Sequence, residues 1–134
     1  MIEMGYLHAD ERDRFALRAS TDIGELFDAN RLIAWLLCDA QRAVGSACAT
    51  FFERLPYPDG AVHAEVGGVY VEPAYRGRGH ASRLIEAVLS EVRAAGVRGT
   101  FLRPSPRSKP LYARLGFTED GRSLMRLSSA GSNR

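Results

Sequence analysis

The sequence predicts a single α/β domain of the α+β type, with a mixed, mostly antiparallel central sheet flanked by helices. Its 134 residues, 46% of them hydrophobic and 25% charged, match one ordinary globular domain. Two strand-length apolar runs on either side of a short polar turn indicate an antiparallel hairpin. Farther along, a strand, a glycine-rich loop and an amphipathic helix follow one another, and such a helix joins parallel strands.

The first part of the chain is predicted to hold two short helices, within residues 8–30, and no N-terminal strand is evident. Asp22 and Glu25 form a capping box that separates the two helices. The apolar anchors are Phe15, Leu17, Ile23, Leu26 and Phe27. The first ten residues contain no basic segment followed by an apolar one, so a cytoplasmic location is expected.

The hairpin and a loop come next. Its strands are the apolar runs from Leu32 to Cys38 and from Ala43 to Phe52, and the polar residues between them form the turn. Two prolines and an Asp-Gly pair make residues 53–61 a loop, because proline cannot donate a hydrogen bond to a strand ladder.

The central strand is predicted from His63 to Val71, and Pro73 stops it. The helix that follows has apolar residues three and four positions apart, which places them on one face. They are Ala81, Leu84, Ile85, Val88, Leu89 and Val92. Gly96 is expected to end this helix in the left-handed conformation. The segment from Val97 to Arg103 is then the next strand, parallel to the central one through a right-handed crossover.

The remaining chain is predicted as a loop, a short helix and a hairpin. Pro104 to Pro110 is the loop, and Leu111 to Leu115 is the helical segment, capped by Gly116. Phe117 to Leu127 is interrupted by an Asp-Gly pair and suits a terminal hairpin. Residues 128–134 are expected to be a frayed tail, so that the domain comprises residues 1–127.

Charge and cysteine content narrow the classes of partner. The net charge of +2 is too small to argue for nucleic acid, but most arginines lie in the second half of the chain, which favours a small polyanionic ligand. No apolar run approaches a membrane span, so no membrane partner is expected. Cys38 and Cys48 have no metal-binding spacing and are expected to be reduced, and no metal site is predicted.

The stretch from Glu65 to Val92 has the pattern of an anion-binding cradle. A strand-loop-helix turn points unpaired backbone N–H groups and the positive end of the helix dipole at one place. Gly77 and Gly79 let the backbone bend and approach a ligand closely. A dinucleotide-binding fold is the competing interpretation. It is disfavoured because Ser82 stands at the third glycine position and no acidic residue follows the next strand.

The loop Arg76-Gly77-Arg78-Gly79-His80-Ala81 resembles the signature of the GNAT N-acetyltransferase superfamily, which reads Arg or Gln, two residues, Gly, one residue, and Gly or Ala. Val71-Glu72-Pro73 before it and the stretch from Pro110 to Phe117 after it look like two further landmarks of that family. The likeness covers residues 32–127. It implies a sheet of six to seven strands with splayed parallel central strands, about four flanking helices, and acetyl-CoA as co-substrate.

The resemblance also implies which residues hold acetyl-CoA. The pyrophosphate would lie on backbone N–H groups of the loop and the first helical turn, with Arg76, Arg78 or Lys109 adding charge. The pantetheine arm would pair with the exposed edge of the central strand, where Val71 would bond its amide. The implied set is Val69, Tyr70, Val71, Arg76, Gly77, Arg78, Gly79, His80, Ala81, Ser82, Ser105, Lys109 and Tyr112.

Two residues depart from the family pattern. His80 occupies a position that is usually apolar, and it is expected either to face solvent or to contact a phosphate when protonated. Ser105 stands where many relatives carry an asparagine that touches the cofactor. A serine hydroxyl can still donate one hydrogen bond there.

Three residues are candidates for catalysis. By the family's spacing, the N–H of Val69 would polarise the thioester carbonyl, and Tyr112 would protonate the leaving thiolate as general acid. Glu65 is the candidate base, at a spacing similar to that in the histone-acetylating branch. Strand alternation places Glu65, Gly67 and Val69 on one face, unless a bulge near Gly67-Gly68 shifts the pattern. His63 is either a second candidate base or a structural residue, and a water chain is a third route.

Two hypotheses follow from these features. The first is an acetyl-CoA-dependent N-acetyltransferase that acts on a primary amine by direct attack. The second is a non-catalytic acyl-CoA-binding regulatory domain, suggested by the short N-terminal part. The amine is not identified by the sequence, and a homodimer formed through an edge strand stays open.

Overall fold

The computed structural model of the chain describes residues 2–6, 29–53, 62–121 and 125–128. Within these ranges five strands form one sheet, in the order β1-β2-β3-β4-β5. They are β1 (Ile2–Tyr6), β2 (Leu32–Asp39), β3 (Arg42–Glu53), β4 (Val62–Val71) and β5 (Thr100–Phe101). The first four pair antiparallel and β4 pairs with β5 in parallel, so the predicted mixed, mostly antiparallel sheet is confirmed.

Two α-helices and a 3-10 turn follow β4 in the described residues. The 3-10 turn is Pro73–Tyr75, α1 is His80–Ala94 and α2 is Lys109–Arg114. The helix α1 joins β4 to β5 and buries the predicted apolar face. Gly96, with φ of 69°, follows it in the left-handed conformation, as predicted. None of the helices described is long and apolar enough to cross a membrane.

The core lies between α1 and one face of the sheet. At Gly45 on β3, a Cβ atom would meet the backbone oxygen of Tyr70 at 3.0 Å and Leu84 Cδ1 at 3.4 Å, so a larger residue here would crowd the neighbouring strand. Among the most deeply buried side chains are Leu37, Val44, Leu84, Ile85, Val88 and Val92. Burial of each such side chain contributes about 1.5–3 kcal/mol before conformational entropy is counted. This packing anchors α1 and therefore the loop that precedes it.

The predicted hairpin and central strand are confirmed as β2, β3 and β4, whereas the strand predicted from Val97 to Arg103 is much shorter. Only Thr100–Phe101 is a strand, although the N–H of Ala64 donates to the carbonyl of Gly99 at 3.0 Å and the N–H of Arg98 to that of Val62 at 2.8 Å; beyond the strand, Pro104 cannot donate to a ladder. The helix α2 begins two residues before the predicted Leu111, because Pro110 suits the first turn of a helix. Gly116, with φ of 99°, follows it as predicted.

The expectation of no N-terminal strand is wrong. The strand β1 pairs antiparallel with β2, from Ile2 opposite Asp39 to Tyr6 opposite Trp35. The strand β2 therefore has a neighbouring strand on each side. The two helices predicted within residues 8–30 and most of the loop predicted at residues 53–61 lie outside the described residues, although Glu53 itself belongs to β3.

The terminal hairpin predicted from Phe117 to Leu127 is not formed by the residues described there. Residues 117–121 and 125–128 are irregular, and Gly121, with φ of 76°, sits in a bend. The glycine and the preceding Asp120 interrupt the strand pattern. Five strands and two α-helices are therefore present in the described ranges, and the larger numbers implied by the family resemblance stay predictions.

Candidate active site

The central feature of the site is a bulge in β4. Tyr70 pairs with Ser46 and Gly67 pairs with Cys48, so the single residue between Ser46 and Cys48 faces both Gly68 and Val69. Gly68 has φ of 60°, and a Cβ there would meet Cys48 Sγ at 3.2 Å. The bulge therefore depends on glycine at this position.

The bulge changes which face of the sheet each β4 side chain points to. Val66 and Val71 are both buried in the core under α1, although in a regular strand residues an odd number of positions apart point to opposite faces. Val69 packs against the same core, whereas Glu65 and Tyr70 lie on the opposite face. The prediction that Glu65, Gly67 and Val69 share one face is wrong, because the extra residue shifts the alternation between Gly67 and Val69.

The parallel strands β4 and β5 separate just beyond Glu65. Their register contains only Ala64 opposite Thr100 and Glu65 opposite Phe101, while β4 continues to Val71. The N–H of Glu72 donates to the carbonyl of Val44 at 2.8 Å, so the N–H and C=O of Val71 point away from β3. Within the described ranges, β4 thus presents an edge without a strand partner from Val66 to Val71, on the side of β5.

The loop after this edge presents a concentration of backbone N–H groups. Gly77 and Gly79 have φ of 77° and 80°, and a Cβ on either would come within 4 Å of no other group that the structure describes. The first hydrogen bond that enters α1 runs from the N–H of Arg83 to the carbonyl of Gly79 at 3.2 Å. In the described part of the chain, the N–H groups from Gly77 to Ser82 have no acceptor, and α1 has no acidic residue in its first turn. This end of the helix is therefore suited to an anion.

Arg76 is attached to the strand end rather than extended over the loop. Its Nε donates to the carbonyl of Val71 at 2.7 Å, and its Cζ lies 5.5 Å from the centre of the Tyr70 ring. Arg78, by contrast, is exposed in the loop itself. Of the two loop arginines, Arg78 is the better placed to add charge to the cradle.

His80 is buried, which corrects the expectation that it faces solvent. It is 8% exposed, and neither ring nitrogen has a hydrogen-bond partner among the described residues. The reason is its position: as the first residue of α1, it lies one turn before buried Leu84 on the same helical face. Its side chain therefore belongs to the sheet-facing side of the helix.

Tyr112 lies in α2 and joins the core that contains Val69. It is 9% exposed, and the edge of its ring faces Phe117, with ring centres 5.8 Å apart. Burial raises the pKa of the Tyr112 hydroxyl, so the group keeps its proton at neutral pH. A buried, protonated phenol is suited to donate a proton.

Glu65 and His63 lie on the face of the sheet opposite α1. The Glu65 side chain is 33% exposed, and its Oε1 lies 3.3 Å from Arg103 Nε. His63 is stacked between the rings of Phe52 and Phe101, with centres 5.8 and 5.7 Å away. The structure therefore supports the structural alternative for His63, and it pairs the candidate base with an arginine.

A model of the acetyltransferase (GNAT) family matches residues 4–117 of the chain. The chain belongs to the GNAT family. The predicted family is thus confirmed. A comparison with curated protein sequences finds no match.

Solved GNAT structures share this fold. An acetyltransferase from Trypanosoma brucei is 24% identical, with a TM-score of 0.77, covering 96% of this chain and 100% of the other. A predicted acetyltransferase from Clostridium acetobutylicum, solved with acetyl-CoA, is 17% identical, with a TM-score of 0.75 and full coverage of both chains. An aminoglycoside N-acetyltransferase in complex with CoA is 21% identical, with a TM-score of 0.70, covering 96% and 95%. At these identities the likeness shows the fold alone.

Two GNAT positions predicted to touch the cofactor have partners within the chain. The Ser105 and Ser108 hydroxyls lie 3.0 Å apart, and each also accepts a hydrogen bond from the other's backbone N–H. Lys109 Nζ lies 2.8 Å from Glu119 Oε1 on the surface. Ser105 therefore orders the turn before α2, and Lys109 shares its charge with Glu119.

The sequence did not indicate three residues that brace the GNAT loop. Asp39, Arg42 and Tyr75 surround the 3-10 turn immediately before Arg76, together with Glu72. The available signal was weak, since Asp39 and Arg42 fall in a polar hairpin turn where charged residues are common. Only the tertiary fold brings that turn to the end of β4.

Proposed function

We propose that this protein is an N-acetyltransferase, which transfers the acetyl group of acetyl-CoA to a primary amine by direct attack. The observation that carries the proposal is the continuity of two binding surfaces. The free edge of β4 from Val66 to Val71 leads directly into the loop whose N–H groups have no acceptor in the described part of the chain. An extended amide chain joined to a pyrophosphate has the matching chemistry, and acetyl-CoA has both parts.

In this proposal the loop holds the pyrophosphate and β4 holds the pantetheine arm. The N–H groups from Gly77 to Ser82 donate hydrogen bonds to the phosphate oxygens, and Arg78 adds positive charge. Val71 donates its N–H to a pantetheine amide, while its carbonyl stays bonded to Arg76. Binding at the edge of β4 then continues the sheet where β5 leaves it.

The chemistry requires a polarised carbonyl, a free amine and a protonated leaving group. The amine nitrogen attacks the thioester carbonyl carbon, the C–S bond breaks, and the thiolate takes up a proton while the nitrogen loses one. The N–H of Val69, at the bulge, donates a hydrogen bond to the carbonyl oxygen as negative charge develops on it, a contribution of about 2.7–4 kcal/mol for such donors. Tyr112 supplies the proton to the thiolate, for which its raised pKa keeps it protonated.

The amine is proposed to approach over the bare backbone of Gly67. Among the described residues, a Cβ at Gly67 would meet nothing within 4 Å, so none of them covers this part of the sheet face. Glu65 stands beside it as the candidate base, with Arg103 as its ion-pair partner. One structure similar to this chain is an aminoglycoside N-acetyltransferase, which supports an amine as acceptor.

A non-catalytic acyl-CoA-binding domain is less favoured. That hypothesis was suggested by the short N-terminal part, which lacked an evident strand. The structure contains the strand β1 in this part of the chain. The two functions are separated by assay. Both require acetyl-CoA to raise the Tm of the protein, by mass action on the folded state. Only the enzyme releases CoA in proportion to an added amine, so acetyl-CoA binding without any amine-dependent release would contradict the proposed function.

A further inference from the structure

Four side chains connect the hairpin turn of β2 and β3 to the start of the anion-binding loop, and we call them the junction clamp: Asp39, Arg42, Glu72 and Tyr75. Arg42 Nη1 donates to both carboxylate oxygens of Glu72, at 2.8 and 2.9 Å. Arg42 Nη2 lies 3.4 Å from the Tyr75 hydroxyl, and its Cζ lies 6.0 Å from the centre of that ring. The Tyr75 hydroxyl in turn donates to Asp39 Oδ2.

The clamp joins two segments that are remote in sequence. Asp39 and Arg42 face each other across the turn of the hairpin, in which Ala40 has φ of 56°. Glu72 and Tyr75 enclose the 3-10 turn, where the N–H of Tyr75 donates to the carbonyl of Glu72 at 2.9 Å. The loop begins at the next residue. The clamp therefore fixes the direction in which the chain enters the loop.

Stability alone does not account for this arrangement. The Arg42 side chain is 60% exposed, and ion pairs at such exposed positions contribute little to folding. The planar guanidinium does, however, fix geometry, because Nη1 bonds the Glu72 carboxylate while Nη2 reaches the Tyr75 hydroxyl. A loop with two left-handed glycines has much conformational freedom, and ordering it on binding costs affinity. Fixing its first residues beforehand reduces that cost.

We propose that the junction clamp is a positioning device that sets the affinity of the loop for the pyrophosphate of the cofactor, with Arg42 acting through Glu72 and Tyr75. The inference rests on the proposed function, since it assumes that the loop binds CoA. The charges of the clamp residues are consistent with this role. The hydrogen bond from Tyr75 lowers the pKa of Asp39, and the hydrogen bond to Glu72 raises the pKa of Arg42. Both groups are therefore charged at neutral pH.

The test is calorimetric titration of four variants: Arg42→Ala, Glu72→Ala, the double variant and Tyr75→Phe. Each is titrated with CoA and, separately, with pantetheine, which lacks the pyrophosphate. Each alanine variant is expected to bind CoA about tenfold more weakly. Because Arg42 and Glu72 are in direct contact, their effects should not add, and the double variant should bind CoA no more weakly than either single variant. Tyr75→Phe removes only the hydroxyl and should weaken CoA severalfold. Pantetheine binding should not change. In turnover, KM for acetyl-CoA should rise while kcat stays within about twofold.

Two controls make the result specific. Arg93→Ala removes an exposed arginine at the opposite end of α1 and should leave CoA binding unchanged. Arg42→Lys keeps the charge but has no planar pair of nitrogens to contact Glu72 and Tyr75 together, so it should behave like Arg42→Ala. If Arg42 instead attracted phosphate by its charge, Arg42→Lys would bind like the wild type and Glu72→Ala would bind CoA more tightly.

The inference is overturned by either of those results, by unchanged CoA affinity in the alanine variants, or by an equal loss for pantetheine. If the wild-type protein fails to bind CoA, the proposed function and the inference both fail. If the wild type binds CoA and the variants bind it equally well, the inference alone fails.

Discussion

Replacing Gly79 by alanine separates ligand binding from stability, because Gly96 provides a matched control. The two glycines flank α1 at its two ends, with φ of 80° and 69°, and a Cβ at either would meet no group of the described residues within 4 Å. Each substitution therefore introduces backbone strain without a clash. Only Gly79 belongs to the anion-binding loop.

The expected magnitudes follow from this geometry. An L-residue in the left-handed region costs about 1–2 kcal/mol, which for a chain of 134 residues lowers the Tm by roughly 3–10 °C. Both variants should show this loss. In Gly79→Ala, relief of the strain also turns the N–H groups of Gly79 and His80 away from the ligand. Loss of one hydrogen bond to a charged group, about 1.5–3 kcal/mol, weakens CoA binding by roughly 10- to 150-fold.

The assay is thermal unfolding of the wild type, Gly79→Ala and Gly96→Ala, followed by calorimetric titration of each with CoA. We expect similar Tm values for the two variants and weakened CoA binding for Gly79→Ala alone. Wild-type affinity in Gly79→Ala would refute the anion-binding role of the loop. Equal weakening in Gly96→Ala would show that general destabilisation, and not the loop, determines the affinity.

Three further substitutions test individual residues. Tyr112→Phe should lower kcat by roughly 10²- to 10⁴-fold in an assay of CoA release, and unchanged turnover would remove Tyr112 from the acid role. Because burial raises the Tyr112 pKa, folding loses stability as the pH rises above the ordinary tyrosine value of about 10, so the Tm of Tyr112→Phe should fall less steeply than that of the wild type at alkaline pH. His80→Leu removes two buried ring nitrogens that lack partners in the described residues, a cost of about 1–3 kcal/mol per buried group, and should raise the Tm; a lower Tm would mean that the imidazole is satisfied. Glu65→Gln should lower kcat by roughly 10²-fold or more if Glu65 is the base while shifting the free energy of unfolding by at most about 1 kcal/mol, and full activity would favour a water chain.

The parts of the fold that depend on residues close together in the sequence were predictable from it. The strand that ends before Pro73, the two glycines of the loop and the apolar face of α1 each follow from local spacing, and β4, the positive φ values and α1 confirm them. The hairpin of β2 and β3 was also predictable, because its turn and both strands are contiguous. These elements were enough to indicate an anion-binding turn and the GNAT resemblance.

The features that depend on register were not predictable in the same way. The face of Val69 changes because Gly68 adopts φ of 60° opposite Ala47, and the sequence alone does not give the pairing of β3 with β4. The strand β1 is recognised only through its pairing with β2. His80 is a polar residue, yet its position on the buried face of α1 determines that its side chain is buried.

The contacts of the junction clamp also could not be predicted from the sequence. Arg42 and Glu72 are 30 residues apart, and their contact requires the whole hairpin to align with the end of β4. Nothing in the spacing of these residues distinguishes them from other surface charges. Interactions that position a loop from outside are therefore found only in the folded protein.

The central claim is that β4 and the loop together place a thioester beside Val69 and Tyr112. A crystal structure of the protein with acetyl-CoA tests it most directly. The account predicts that the N–H of Val69 donates to the acetyl carbonyl oxygen, that the sulfur lies within hydrogen-bond reach of the Tyr112 hydroxyl, and that the pyrophosphate lies on the loop from Gly77 to Ser82. Acetyl-CoA bound with its thioester away from the β4 bulge, or its phosphates away from the loop, would contradict it.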